Sequence, residues 1–161
     1  MNAYKVCMLG AYAVGKTSLV ARFVHGIFSE DYLTTLGVKI DRKEVAVEGH
    51  PAQLMLWDIN GEDRFLKVNP SYVRGAHGCL LVVDGTRAAT LDTAAGLRDM
   101  VLEHVGEVPM VGLVNKNDLA ADWALDLPAV EARLPGCPVL STSAKTGDAV
   151  ERAFSELARR L

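Results

Sequence analysis

A chain of 161 residues, half of them hydrophobic and 23% charged, has globular composition and the length of one domain spanning 1–161. A net charge of −3 with no basic run argues against nucleic acid and against an electrostatic hold on a membrane. No apolar run approaches the ~20 residues that span a bilayer. Cys7, Cys79 and Cys137 show neither a disulfide framework nor zinc spacing, as suits a reducing cytoplasm.

The apolar run Val6-Cys7-Met8-Leu9 reads as a strand. It leads through Gly10-Ala11-Tyr12-Ala13-Val14-Gly15-Lys16-Thr17 into helix-compatible residues 18–23, the strand, glycine-flanked loop and helix in which GxxxxGK[ST] is meaningful. In such a loop the backbone N–H groups of Ala13, Val14, Gly15, Lys16, Thr17 and Ser18 can turn inward on phosphate. The helix N-terminus adds a positive dipole end. Lys16 would set its ammonium on β- and γ-phosphates, and the Thr17 hydroxyl would ligate Mg²⁺. The plain alternative is an ordinary strand-to-helix turn that contains Lys-Thr.

Residues 38–47, a turn at Glu48-Gly49-His50, and residues 52–57 read as a hairpin that contributes one antiparallel strand. Apolar runs at 79–83 and 110–114 suit parallel strands covered on both faces. Leu91, Ala94, Leu97, Val101 and Val105 form a helical stripe. Asp148 as N-cap with Glu151 three residues on predicts a final helix carrying Val150, Phe154, Leu157 and Leu161 on one face. Arg159 and Arg160 suit its negative end. The expected fold class is α/β: three layers around a mostly parallel six-stranded sheet with one antiparallel strand, ligands binding at the carboxyl ends of the strands.

Further signals sit at those carboxyl ends. Asp58 closes the apolar 54–57 and would meet the Mg²⁺ held by Thr17, while Gly61 can bring its N–H close to a γ-phosphate because no Cβ intervenes. A turn is the plain alternative for that pair. Asn115-Lys116-Asn117-Asp118 follows residues 110–114. The Asp118 carboxylate accepts two hydrogen bonds and so suits the adjacent N1–H and N2–H₂ donors of guanine, a pair that adenine lacks. Lys116 can lay its aliphatic stem along a purine face. Ser143-Ala144-Lys145 could present a backbone N–H to the guanine carbonyl.

Phosphate loop, DxxG, NKxD and SAK stand in the order and near the spacing of the Ras superfamily of small GTPases, and the chain resembles its Rab branch most. The resemblance covers essentially the whole chain and implies a P-loop small-GTPase fold that binds GTP and GDP with Mg²⁺. Residues 23–28 and Tyr32-Leu33-Thr34-Thr35-Leu36-Gly37-Val38 resemble the first switch segment. By that resemblance Thr35 gives its side chain to Mg²⁺ and its N–H to the γ-phosphate, and Phe28 packs on the guanine. Lys16, Thr35, Gly61 and Glu62 would then serve catalysis. Effector, exchange-factor and activating proteins would bind through residues 30–40 and 59–75. Trp57 and Tyr72 match two of the aromatic positions that Rab proteins present to effectors, with Ile40 at the third; covering apolar sheet is the equal alternative. Arg64 more often has a structural role in the family than a catalytic one.

The departures matter as well. Tyr12 stands where the family has glycine or a small residue, and Ala13 also differs. Asp58-Ile59-Asn60-Gly61-Glu62-Asp63 replaces DTAGQE, which puts Glu62 where a glutamine orients the attacking water. The chain ends at Leu161 without a C-terminal cysteine, so no prenyl anchor is expected in it; the alternatives are a soluble relative of the branch, such as a prokaryotic one, and a chain cut short of its tail. A cytoplasmic protein, brought to a membrane only by a protein partner, is the expectation. Two functions stay open: a switch that hydrolyses GTP slowly, and a hydrolysis-deficient GTP-binding interaction module. A P-loop small-molecule kinase is disfavoured, because NKxD and SAK specify guanine.

Overall fold

A computed structural model of the chain describes residues 1–29, 35 and 37–161. Tyr32, Leu33, Thr34 and Leu36 of the expected first switch segment, and residues 30–31 of the expected partner surface, lie outside the described residues. Strand β1 (Asn2–Gly10) sends Val6 and Met8 to one side and Cys7 and Leu9 to the other, all fully buried. Successive side chains of a strand face opposite ways, so an unbroken apolar run requires cover on both faces.

That cover comes from helices α1 (Lys16–His25) and α4 (Val150–Ala158) on one face, with α2 (Ala89–His104) and α3 (Leu127–Arg133) on the other. Phe23 of α1 stacks on Phe154 of α4, ring centroids 4.0 Å apart, which locks the first pair together. The predicted stripe of α2 is buried at Leu91, Ala94, Leu97 and Val101, and Val105 follows as the C-cap. The remaining strands are β2 (Val38–Val47), β3 (His50–Ile59), β4 (Gly78–Asp84), β5 (Met110–Asn115) and β6 (Val139–Ser141). They form a six-stranded sheet in the order β2-β3-β1-β4-β5-β6, parallel throughout except for β2 against β3. The expected α/β architecture is the one observed.

The hairpin is tighter than expected. Val47 pairs with His50, so the turn is Glu48-Gly49, both at positive φ (51° and 78°), the backbone that suits a twisted two-residue hairpin.

The last helix corrects the capping expectation. Its N-cap position is Ala149, left-handed at φ 56°, with no side-chain cap. The Asp148 carboxylate instead accepts from Asn117 Nδ2 at 2.7 Å, because a loop from the neighbouring strand lies within its reach. The helix closes at Ala158, and Arg159 and Arg160 both donate to Glu156. Leu161 follows the helix and still packs on the core.

In the strand registers, Met8 stands beside Asp58, Gly10 beside Val82, and Asp84 beside Asn115. The strand-end residues singled out in the sequence therefore share one edge.

Candidate functional site

The phosphate loop is shaped by contacts as much as by its glycines. Gly15 adopts φ 104°, and a Cβ there would strike the Asn115 amide nitrogen. Only glycine fits both conditions. Asn115 Nδ2 donates to the Val14 carbonyl at 3.0 Å, and its Oδ1 accepts from Thr142 Oγ1 and the Ala144 N–H. One buried amide thus joins the phosphate loop to the Ser143-Ala144-Lys145 loop.

A cavity of about 720 Å³ opens over this edge. Of the residues expected at the site, Ala13, Gly15, Lys16, Thr17, Ser18, Phe28, Thr35, Gly61, Asn115, Lys116, Asp118, Ala144 and Lys145 line it. Val14 and Ser143 are fully buried behind it, and Ser143 Oγ donates to Asp118 Oδ1 at 2.7 Å, fixing that carboxylate. Arg22 braces the same end, with Nε donating to the Ala144 carbonyl at 2.8 Å and Nη2 to the Lys145 carbonyl.

At the opposite end Thr17 Oγ1 donates to Asp58 Oδ2 at 2.5 Å and lies 2.9 Å from Thr35 Oγ1. Asp58 is 1% exposed, and its Oδ1 is buried without a partner among the described residues. Burial pushes its carboxyl up from the ordinary range, against the Thr17 hydrogen bond and the Lys16 charge. Two hydroxyls and an under-satisfied buried carboxylate are hard oxygen donors, which fits Mg²⁺ shared with phosphate. Lys16 is 6% exposed. Burial pulls its ammonium down to about 8, with Asp58 opposing and Arg87 assisting. An anion in the cavity would offset that cost.

Glu62 is not among the residues lining the cavity. Its Oε1 accepts from the Val68 N–H at 3.2 Å, while its backbone pairs with the phosphate loop: Tyr12 N–H donates to the Glu62 carbonyl and Glu62 N–H to the Gly10 carbonyl, each 3.0 Å. Tyr12, Asp63 and Leu66 do line the cavity. Arg64 lies outside, its guanidinium 4.9 Å from the Phe65 ring. Trp57 and Tyr72 are half-buried against the core, with Lys5 Nζ 3.6 Å over the Trp57 ring, whereas Ile40 is exposed.

A cluster at the end of β4 escaped the sequence reading. Asp84 is 1% exposed and accepts from Lys116 Nζ at 2.6 Å, Arg87 Nε at 3.0 Å, and the Thr86 N–H and hydroxyl. Burial would push its carboxyl up, but the hydrogen bonds from Lys116, Thr86 and Arg87 outweigh that and hold it at about 2. Arg87 Nη2 reaches the Tyr12 carbonyl at 2.6 Å, and Lys116 Nζ the Ala13 carbonyl at 3.0 Å. Trp123 Nε1 donates to the Lys116 carbonyl at 2.9 Å and steadies that left-handed residue. The signal for Asp84 was a carboxylate ending an apolar strand, as at Asp58. For Arg87 and Trp123 no local signal existed.

This loop, cavity and sheet define a P-loop GTPase fold. Residues 5–161 match the Ras family. Ras-related protein Rab-26 of Bos taurus is 37% identical over 163 residues, 99% of this chain and 64% of that protein. GTP-binding protein YPTM1 of Zea mays is 34% identical over 154 residues, 94% of this chain and 74% of its own length. Ypt/Rab-type GTPase YPT7 of Saccharomyces cerevisiae is 35% identical over 168 residues, 98% of this chain and 81% of its own length. The chain belongs to the Ras family and is Rab-like. Members of that family are GTPases that act as GTP-binding switches and generally use Mg²⁺. The chain spans 64% of the bovine Rab-26 relative. Among the described residues no helix is long and apolar enough to cross a membrane.

Proposed function

We propose that residues 1–161 form one guanine-nucleotide switch domain, which binds GTP and GDP with Mg²⁺ in the 720 Å³ cavity and hydrolyses GTP slowly. The observation that carries this reading is that one cavity holds both recognition ends. Asp118, oriented by Ser143, stands at one end, and the linked hydroxyls of Thr17 and Thr35 above Asp58 stand at the other. Asp118 would accept from the guanine N1–H and N2–H₂, the Ala144 or Lys145 N–H would donate to the guanine carbonyl, and Phe28 and the Lys116 stem would flank the ring.

At the phosphate end the N–H groups of residues 13–18 and the Lys16 ammonium would hold the phosphate oxygens. Thr17, Thr35 and Asp58 would hold Mg²⁺, directly or through water, which when bound neutralises phosphate charge. Gly61 would donate its N–H to the γ-phosphate. Effector, exchange-factor and activating proteins would read residues 30–40 and 59–75. The protein would act in the cytoplasm, without contact to nucleic acid.

One observation favours the second reading, a GTP-binding module that hydrolyses too slowly to cycle alone. The Glu62 carboxylate is engaged by the Val68 N–H and is not among the cavity-lining groups. In the first reading Glu62 leaves Val68 and accepts from the attacking water. Phosphate release from GTP under single-turnover conditions separates the two. Release faster than the spontaneous reaction supports a switch, and its absence with GTP bound supports the module.

A further inference from the structure

The geometry points to Arg87 as a positioning residue for the phosphates. By donating to the Tyr12 carbonyl it fixes and polarises the Tyr12–Ala13 peptide, so that the Ala13 N–H on the opposite edge of that peptide is presented to an anionic oxygen. This rests on the cavity being a nucleotide site, and it assigns a role to a residue outside the phosphate loop and outside the cavity wall.

A trans peptide holds its C=O and N–H antiparallel, so a donor on the carbonyl from behind sets the direction of the N–H in front. The successive carbonyls of Tyr12, Ala13 and Val14 are held this way by Arg87 at 2.6 Å, Lys116 at 3.0 Å and Asn115 at 3.0 Å. Ala13 sits between the two cation-held peptides at φ 63°. A residue with a Cβ pays roughly 1–2 kcal/mol for that conformation and keeps it only where its surroundings impose it. Arg87 on one flank and Lys116 on the other supply the imposition.

Both cations are aimed by the same buried carboxylate. Asp84 Oδ2 takes Arg87 Nε at 3.0 Å and Lys116 Nζ at 2.6 Å, while Oδ1 is occupied by Thr86. With its Nε edge held, the guanidinium has Nη2 directed at Tyr12. A charged donor on the carbonyl also draws electron density from the peptide and strengthens its N–H as a donor, the cooperative effect expected in a chain of hydrogen bonds.

That peptide starts at the Tyr12 Cα, and Gly61, whose N–H is proposed to meet the γ-phosphate, packs against the same Cα and the Tyr12 nitrogen. The effect should therefore fall on triphosphate more than on diphosphate. The test uses the full chain with Mg²⁺, comparing wild type, Arg87→Ala and Arg87→Lys. The readouts are affinity for GDP, affinity for a non-hydrolysable GTP analogue, and the amide resonance of Ala13 in the GDP-loaded protein. Arg87→Ala is expected to move the Ala13 amide proton upfield and to lower analogue affinity about tenfold more than GDP affinity, the order of one charge-assisted hydrogen bond. Arg87→Lys, which keeps a charge but lacks the separate Nε and Nη2 donors that serve Asp84 and Tyr12, should shift both in the same direction by less; if the alanine variant does not fold, the lysine variant carries the comparison. Equal losses for both nucleotides, or an unmoved Ala13 resonance, would overturn the role of Arg87. Failure of the wild type to bind either nucleotide would instead overturn the nucleotide reading.

Discussion

Gly61 packs against the backbone of Tyr12 so closely that a Cβ on Gly61 would stand 2.5 Å from the Tyr12 Cα and 2.9 Å from its nitrogen. Neither neighbour is a flexible side-chain end, so the contact cannot be relieved without separating the segment from the phosphate loop. Gly61→Ala should therefore undock the residues around 61–62. Amide exchange of Tyr12 and Glu62, whose N–H groups bond across this contact, should rise by at least an order of magnitude, while that of Leu19 in α1 is unchanged. Unaltered protection at Tyr12 and Glu62 in the variant would contradict the docking.

Glu62 and Tyr12 should set the hydrolysis rate. An arginine finger contributes about 10³–10⁵ in kcat, and Tyr12, which lines the cavity and is 37% exposed, would compete for room with a finger entering from a partner. Once turned from Val68 into the cavity, a carboxylate at position 62 would repel the phosphates and could not donate to them. Glu62→Gln should raise single-turnover GTP hydrolysis roughly tenfold or more, and Tyr12→Gly should add sensitivity to a finger-type activator. Stability should change little in Glu62→Gln, because the amide oxygen can still accept from Val68. A wild-type rate near ~1 s⁻¹ without any partner, on the scale of activated relatives, would show that neither residue is inhibitory.

Asp84 should make the fold acid-labile in a defined window. Its carboxyl lies at about 2 in the folded chain against an ordinary 3.8, so the stability it contributes is full above 3.8 and is lost as pH falls toward 2. The difference corresponds to about 2 kcal/mol. In urea unfolding at about pH 5 and about pH 2.5, Asp84→Asn should be clearly weaker than wild type at the higher pH, and the gap should narrow at the lower. A gap that stays constant would mean that Asp84 is not the group titrating.

The fold and most of the residues that line the cavity were legible because their signals are local. A glycine-flanked loop between a strand and a helix, a carboxylate closing a strand, and Asn-Lys-Asn-Asp after an apolar run each occupy a few consecutive residues. The roles of Asp84 and Arg87 were not legible, since their partners Lys116 and Tyr12 become neighbours only through the β4–β5 register and the turn of the phosphate loop. Arg22 is similar, because its ligands lie 122 and 123 residues away. Asp148 misled for the opposite reason: a good local capping pattern lost to a non-local partner, Asn117.

Guanine recognition through Asp118 is tested most directly by competition titration of GDP, ADP and XDP against the Mg²⁺-containing wild type and Asp118→Asn. The wild type should prefer GDP over ADP by about 10³-fold or more, because adenine would leave a charged acceptor facing no donor pair, and each such loss costs roughly 1.5–3 kcal/mol before desolvation. The asparagine variant should lose GDP affinity and gain XDP affinity, since its amide donates where the carboxylate only accepts. Comparable GDP and ADP affinities in the wild type, or no change of base preference in the variant, would contradict the assignment of Asp118 and the reading of the cavity as a guanine-nucleotide site.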